Sequence, residues 1–135
     1  EGKRSVLSGV PVSLPALVKS MRLQEKAKQV GFEWNTREQV WDKVEEETRE
    51  VLEVVELDGK DEMEAEFGDL LFALVNYARF IDVVPESALR RTNEKFARRF
   101  QHIQRRLAER GLSFNDVDIT EMDRIWDEAK AMERR

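Results

Sequence analysis

Two stretches decide the fold of this chain: EEETREVLEVV at residues 45–55 and EFGDLLFALV at residues 66–75. In both, apolar residues return every three or four positions, which is the spacing of one face of an α-helix. Neither stretch shows the strict alternation of a half-buried strand, and no other segment does. The sequence therefore predicts an all-α fold.

Capping signals divide the chain into five helices. Ser13 is expected to cap the first helix, Thr36 with Gln39 forms a capping box for the second, and Thr120 with Asp123 opens the last. The predicted helices cover residues 14 to about 30, 36–57, about 61–81, 85–110 and 120 onward. Four of them are long enough for two antiparallel hairpins, so we expect a bundle of about four to five helices.

Composition limits the class of protein. The chain has 135 residues, no cysteine and one histidine, His102. These counts exclude a disulfide framework, zinc–thiolate and Fe–S sites and a cysteine nucleophile, and they favour a cytoplasmic location. No apolar run is long enough to cross a bilayer, so no membrane association is expected. Residues 1–12 lack periodicity and are interpreted as a linker or tail, followed by one domain at residues 13–135.

The charges are segregated along the chain. Residues 42–69 contain 13 acidic and 3 basic side chains, whereas residues 90–110 contain 8 basic and 2 acidic ones. One interpretation is two solvated faces of opposite charge that neutralise each other across helices. The other interpretation is a pair of binding sites, one in the acidic segment and one in the basic segment. Nucleic-acid binding by the basic segment is disfavoured, because the acidic block and a pI near 5.1 would repel a phosphate backbone.

Glu47 stands in an apolar row of the second helix. The row runs through Val40 and Val44 and resumes at Val51 and Val54, and Glu47 occupies the position between. An unpaired buried carboxylate costs several kcal/mol, so Glu47 requires a cation.

Further acids follow Glu47 at helical spacing. Glu50 lies three residues after it, and Glu66 and Asp69 repeat the same spacing on the next helix. Four hard oxygen ligands on neighbouring helices suit Mg²⁺ or Mn²⁺ rather than zinc or copper. A ferritin-like di-iron site would need two Glu-x-x-His motifs, which a chain with one histidine cannot supply.

A basic row on the fourth helix offers cations for phosphate groups. Lys95, Arg99, His102 and Arg106 share one helix face and could hold phosphate oxygens, or they could simply be solvated. The chain has no Gly-x-x-x-x-Gly-Lys loop, which excludes a P-loop.

Five short motifs, taken together, resemble the MazG family of nucleoside triphosphate pyrophosphohydrolases. They are GFEW at 31–34, KVEEETRE at 43–50, EFGDLLFA at 66–73, NEKF at 93–96 and RRF at 98–100. The acidic pattern at 46–50 and 66–69 resembles the signature of the wider all-α pyrophosphohydrolase superfamily, and the Gly-Phe-x-Trp and Asn-x-Lys-Phe segments narrow the likeness to MazG. The likeness covers about residues 14–130.

The resemblance implies an enzyme and a set of site residues. The implied reaction converts nucleoside triphosphates to monophosphates and pyrophosphate with Mg²⁺ and little base discrimination, to clear surplus or aberrant nucleotides. The implied metal ligands are Glu47, Glu50, Glu66 and Asp69, with Glu46 orienting a metal-bound water or acting as base. The implied substrate contacts are Lys43, Lys95, Arg99, Trp126 and Lys130. Trp126 also continues an apolar row, so a packing role for it stays open.

Assembly is also implied by the resemblance. Family domains pair as dimers, so we expect a homodimer or higher homo-oligomer. The chain starts at Glu1 without a methionine, which fits the C-terminal half of a two-domain protein or a one-domain relative with a shortened tail. The alternative function is a non-catalytic helical interaction module, in which the acidic and basic blocks pair across a dimer and a basic side chain compensates Glu47.

Overall fold

The computed structural model describes residues 5–57 and 59–134. Within these residues the chain forms five α-helices, one short 3₁₀ helix and no strand, which confirms the predicted all-α fold. None of the described helices combines the length and the apolar composition that crossing a bilayer requires. The helices are α1 (Ala16–Lys28), α2 (Arg37–Leu57), α3 (Lys60–Phe80), α4 (Pro85–Glu109) and α5 (Ile119–Glu133), and the 3₁₀ helix is Phe114–Asp116.

The start of α1 differs from the prediction. Ser13 does not cap it, because the helix begins at Ala16 and its N-cap residue is Pro15, which forms no side-chain cap. Proline disfavours the helical conformation of the residue before it, so Leu14 cannot be the first helical residue.

The start of α5 also differs from the prediction. Asp118, and not Thr120, is the N-cap residue, and its carboxylate accepts a hydrogen bond of 3.0 Å from the backbone N–H of Glu121. A negative charge at a helix N-terminus is further favoured by the helix dipole, which explains why Asp118 takes this position.

The capping box predicted for α2 is confirmed, and a glycine with positive φ follows each of two other helices. Gln39 N–H donates to Thr36 Oγ1 at 3.2 Å, and the Thr36 N–H donates to Gln39 Oε1 at 3.1 Å. Gly31 and Gly111 follow the ends of α1 and α4 with φ of 89° and 71°. Glycine adopts this left-handed conformation without steric cost, which makes it a frequent residue after a helix.

The chain divides into two compact units, with the boundary between Ala88 and Leu89 in the first turn of α4. In the first unit α2 packs along α3, and α1 packs against α3. Its most buried apolar residues are Val10, Val40, Val44, Ala73 and Val75. Val10 lies in the predicted tail, of which residues 1–4 are outside the described residues.

The second unit is built from α4, the 3₁₀ helix and α5. Ile103 and Leu107 of α4 and Ile125 of α5 form its buried centre. Five half-buried residues pack around this centre: Leu112, Phe114, Val117, Met122 and Trp126.

Candidate metal centre and neighbouring sites

Three carboxylates from two helices meet in the first unit. Glu47 projects from α2, and Glu66 and Asp69 project from α3. One oxygen from each lies within 4.8 Å of the other two. The three-residue spacing of Glu66 and Asp69 places them on one face of α3, and the packing of α2 along α3 brings Glu47 to that face.

Two oxygens of this cluster have no hydrogen-bond partner. Glu47 is 7% exposed, as its place in the apolar row predicts, and its Oε2 is buried without a partner. Glu66 Oε2 is also buried and has no hydrogen-bond partner. Buried carboxylate oxygens without partners are costly, and hard oxygen donors are the ligands that Mg²⁺ and Mn²⁺ prefer. A divalent cation therefore fits this cluster by the chemistry of its donors.

Glu50 lies beside the same cluster. A hydrogen bond to Glu66 raises the pKa of Glu50, and burial and the negative charge of Glu66 raise it further. Repulsion between neighbouring carboxylates is lower when Glu50 is protonated, and a cation between them would also reduce it.

Lys43 neutralises one side of the acidic row on α2. Its Nζ lies 2.6 Å from Glu46 Oε2 and 3.3 Å from Glu47 Oε1. The hydrogen bonds to Glu46 and Glu47 raise the pKa of Lys43, and the bond to Lys43 lowers the pKa of Glu46. Lys43 thus compensates Glu47 only at Oε1 and leaves Oε2 without a partner.

The basic row of α4 contacts acids of α5 in the second unit. Arg99 donates from Nε and Nη2 to Glu133 Oε1 at 3.1 and 2.7 Å. His102 Nε2 and Arg106 Nε each lie 2.9 Å from Glu128 Oε1. Sequence reasoning missed Glu128 and Glu133 as partners of this row.

The remaining predicted substrate contacts also lie in the second unit. The Arg99 guanidinium stands 5.3 Å from the centre of the Trp126 ring, and Trp126 also packs on the buried centre of this unit. The charge of Lys95 contributes to lowering the pKa of Glu133, although Arg99 is the main cause. Lys130 is exposed, one turn after Trp126.

A cavity of about 500 Å³ lies in the first unit beside α1 and α3. Gln24 of α1 lines it, together with the aromatic residues Phe32, Trp34 and Phe72. Gln24 is 7% exposed, and sequence reasoning did not single it out. The sequence does indicate that Gln24 is buried, since it lies seven residues after the apolar Leu17 and therefore on the same helix face.

Comparison with known proteins gives a family match over half of the chain. The model of the MazG nucleotide pyrophosphohydrolase domain matches residues 35–104, which include the carboxylate cluster and most of α4.

Curated relatives match over nearly the full chain. The chain is 42% identical to the nucleoside triphosphate pyrophosphohydrolase of Escherichia coli K12 over 135 residues, covering 98% of this chain and 51% of the relative. It is also 42% identical to the nucleoside triphosphate pyrophosphohydrolase/pyrophosphatase MazG of Thermotoga maritima, over 95% of this chain and 49% of the relative. The chain thus spans about half the length of these relatives.

Proposed function

Because the chain belongs to the MazG nucleotide pyrophosphohydrolase family, we propose that it hydrolyses nucleoside triphosphates to nucleoside monophosphate and pyrophosphate. The observation that carries this proposal is the cluster of Glu47, Glu66 and Asp69, with its two buried oxygens that have no protein partner. The names of the relatives support the same reaction.

The residues that would hold a divalent cation are Glu47, Glu50, Glu66 and Asp69. Their oxygens favour Mg²⁺, with Mn²⁺ as the second choice. When bound, such an ion offsets the negative charge of the triphosphate and lowers the pKa of a water ligand. The partial compensation of Glu47 by Lys43 favours this proposal over an interaction module, in which a basic side chain would satisfy Glu47 fully.

Glu46 is the candidate for orienting the attacking water or accepting its proton. The hydrogen bond from Lys43 lowers the pKa of Glu46 and holds its carboxylate in the ionised form, which can accept a hydrogen bond from water. A lower pKa also makes a weaker base, so the shift supports the orienting role more than the role of base. In the proposed reaction water adds to the α or the β phosphorus and the phosphoanhydride bond between them breaks, and either attack gives nucleoside monophosphate and pyrophosphate.

The cations Lys43, Lys95 and Arg99 are the candidates for binding phosphate oxygens. Arg99 already offers two N–H groups to one carboxylate oxygen of Glu133, and the same groups suit a phosphate oxygen. Trp126 and Lys130 complete the proposed substrate contacts, with Trp126 also serving the packing of α5.

We further propose broad base tolerance, a role in clearing surplus or aberrant nucleotides, and assembly as a homodimer. Assembly is supported by large apolar residues of α2 and α3 that are exposed in the single chain: Leu52, Val55, Phe67, Leu71, Phe72 and Leu74.

The test is a pyrophosphate-release assay with canonical and damaged nucleoside triphosphates, in Mg²⁺ and in EDTA. We expect release from several bases in Mg²⁺ and none in EDTA. Glu47→Gln should lower release at least about 100-fold while the chain stays helical, because it removes a ligand charge. Glu53→Gln is the matched control, since Glu53 is exposed on the same helix. An active Glu47→Gln variant would remove the metal assignment, and absence of both turnover and Mg²⁺ affinity in the unaltered chain would favour the interaction module.

A further inference from the structure

Glu133, at the end of α5, holds the guanidinium of Arg99 by one edge. Its Oε1 accepts hydrogen bonds from Arg99 Nε at 3.1 Å and from Arg99 Nη2 at 2.7 Å. These two nitrogens form the side edge of the planar guanidinium, whose N–H donors have a fixed arrangement. Among the residues that the structure describes, the hydrogen bonds of Arg99 involve this edge alone. The end edge, formed by Nη1 and the other hydrogen of Nη2, is left for another acceptor.

Trp126 fixes the plane of the same guanidinium. Arg99 Cζ lies 5.3 Å from the centre of the Trp126 ring, which is within the range of a cation–π contact. The Trp126 ring is held in turn by Phe96, with 5.5 Å between the ring centres, and by the buried centre of the second unit. The Arg99 side chain is only 11% exposed. Stacking on one face and hydrogen bonding at one edge therefore leave Arg99 a narrow range of orientations.

An arginine that is already ordered binds a phosphate at a lower cost. Immobilising a long side chain when a ligand binds lowers the affinity by up to about tenfold. Glu133 and Trp126 impose this order on Arg99 before a ligand arrives. Arginine binds phosphate best through two parallel N–H groups, and the end edge of Arg99 supplies such a pair.

Two roles of Glu133 are compatible with this ion pair, because Arg99 is able to bind phosphate through either edge. If a phosphate bound the side edge, Glu133 would first have to leave it. Glu133 is held in place, however, since its Oε2 also lies 3.8 Å from Arg98 Nη2. The hydrogen bonds from Arg99 lower the pKa of Glu133, which favours its charged and paired form. Binding at the end edge requires no displacement, so the geometry favours an orienting role over a blocking one.

A second arginine of α4 shows the contrast. Arg106 donates from Nε to Glu128 Oε1 at 2.9 Å and from Nη1 to Glu109 Oε2 at 2.6 Å, so two carboxylates share its guanidinium. Arg106 is therefore occupied by the protein, whereas Arg99 keeps its end edge.

We propose that Glu133 is a positioning residue for substrate binding, which holds Arg99 by its side edge and against Trp126 so that the end edge binds a phosphate group. This inference rests on the proposed function, because the phosphate belongs to the same triphosphate. Glu133 does not contact the substrate and acts through Arg99.

A binding test uses inorganic triphosphate and isothermal titration calorimetry on the full chain, in EDTA and in Mg²⁺. We expect Glu133→Ala to bind about tenfold more weakly than the unaltered chain, since the ligand must then order Arg99. Glu133→Gln keeps an oxygen that accepts the Arg99 N–H groups, so it should recover part of the loss. Tighter binding by Glu133→Ala would show that Glu133 blocks Arg99 and would overturn the proposal. Absence of binding to the unaltered chain in both buffers would overturn it as well.

Kinetics show whether Glu133 acts through Arg99. In Mg²⁺ we expect Glu133→Ala to raise KM for ATP about tenfold with little change in kcat, because ground state and transition state lose the same contact. In an Arg99→Ala background, Glu133→Ala should raise KM no further. A residue that only stabilises the fold would raise KM in both backgrounds, so equal increases would contradict the positioning role.

Glu128→Ala is the matched control. Glu128 lies on the same helix, pairs with an arginine of α4 and has nearly the same side-chain exposure as Glu133, 32% against 33%. Its removal loosens α5 from α4 without changing the contacts of Arg99, so KM should stay at the value of the unaltered chain. Circular dichroism verifies that each variant is folded. A tenfold increase of KM in Glu128→Ala would assign the effect to helix packing and overturn the proposal.

The positioning role and the proposed function fail separately. If ATP is not hydrolysed but Glu133→Ala binds inorganic triphosphate about tenfold more weakly, the proposed activity fails and the positioning role stands. If ATP is hydrolysed and Glu133→Ala keeps the KM and the triphosphate affinity of the unaltered chain, the positioning role fails alone.

Discussion

The carboxylates of Glu47, Glu66 and Asp69 repel one another as long as no cation lies between them. Their oxygens are within 4.8 Å, and two unit charges at about 4 Å interact by about 1 kcal/mol even in water. The metal binding that we propose for these residues therefore comes with a lower stability of the metal-free chain, which is a common trade between function and stability.

Asp69→Asn should separate these two effects. In EDTA we expect the melting temperature to rise by about 3–5 °C, because the change removes about 1 kcal/mol of repulsion. In Mg²⁺ we expect the increase in melting temperature that the ion produces in the unaltered chain to disappear, because a ligand is lost. Differential scanning fluorimetry measures both, with Glu64→Gln, exposed on the same helix, as control. A melting temperature that falls in EDTA would contradict the repulsion argument.

At the scale of elements, one ion pair links the segment between α1 and α2 to α3. Arg79 and Glu33 are 6% and 19% exposed, and their closest atoms lie 2.9 Å apart. Removing one partner of a buried pair leaves the other charge uncompensated, which is more costly than the pair is stabilising.

Arg79→Leu should therefore lower the free energy of unfolding by about 2–3 kcal/mol, less than for a fully buried pair because Glu33 keeps some contact with water. Urea titration followed by circular dichroism measures the loss. The double variant with Glu33→Gln should lose less than the sum of the two single losses. A loss below about 0.5 kcal/mol in Arg79→Leu would show that the pair does not hold this segment.

The contact of α5 with the end of α4 predicts that the stability of the fold depends on pH. Hydrogen bonds from Arg124 and Arg110 lower the pKa of Glu121 to about 2 from its ordinary 4.5. A group whose pKa is lower in the folded state stabilises the fold above its unfolded pKa. This contribution is therefore complete above about pH 4.5 and is lost as the pH falls toward 2.

Glu121→Gln should lower the melting temperature at pH 7, and the difference from the unaltered chain should shrink as the pH falls from 4.5 to 2. Thermal unfolding at several pH values measures this trend. Asp127→Asn, exposed on the same helix, should show no such convergence. A difference that is constant over this pH range would rule out the linkage.

At the scale of the whole molecule, exposed apolar residues predict self-association. Leu52 of α2 is 61% exposed, and burying such side chains against a second copy stabilises the pair by about 25 cal/mol per Å² of apolar area. A charge at this position would have to lose its hydration in the interface.

We expect the unaltered chain to sediment as a dimer and Leu52→Glu to dissociate at least about tenfold more readily, with an unchanged helical spectrum. Analytical ultracentrifugation over a range of concentrations measures this. Val12→Glu is the control, because Val12 is 87% exposed and lies outside α2 and α3. A monomer at all concentrations would exclude the dimer.

Local patterns made most of the fold predictable. The helices, the capping box at Thr36 and Gln39, and the core position of Glu47 follow from spacing within one helix turn, because helical geometry is set by residues three and four apart. The helix starts predicted at Ser13 and Thr120 are wrong. Pro15 keeps the residue before it out of the helix, and Asp118 rather than Thr120 caps the last helix.

The sequence by itself determined the all-α class, the acidic row of α2 and α3, and the family. Only the tertiary structure decided which side chains meet. Gln24 bonds to a carbonyl 48 residues away, and Arg99 bonds to Glu133 at a separation of 34 residues. Such pairs depend on how helices pack and not on spacing along one helix. The same packing buries one oxygen of Glu47 and one oxygen of Gln24 without a protein partner, which no spacing along the chain predicts.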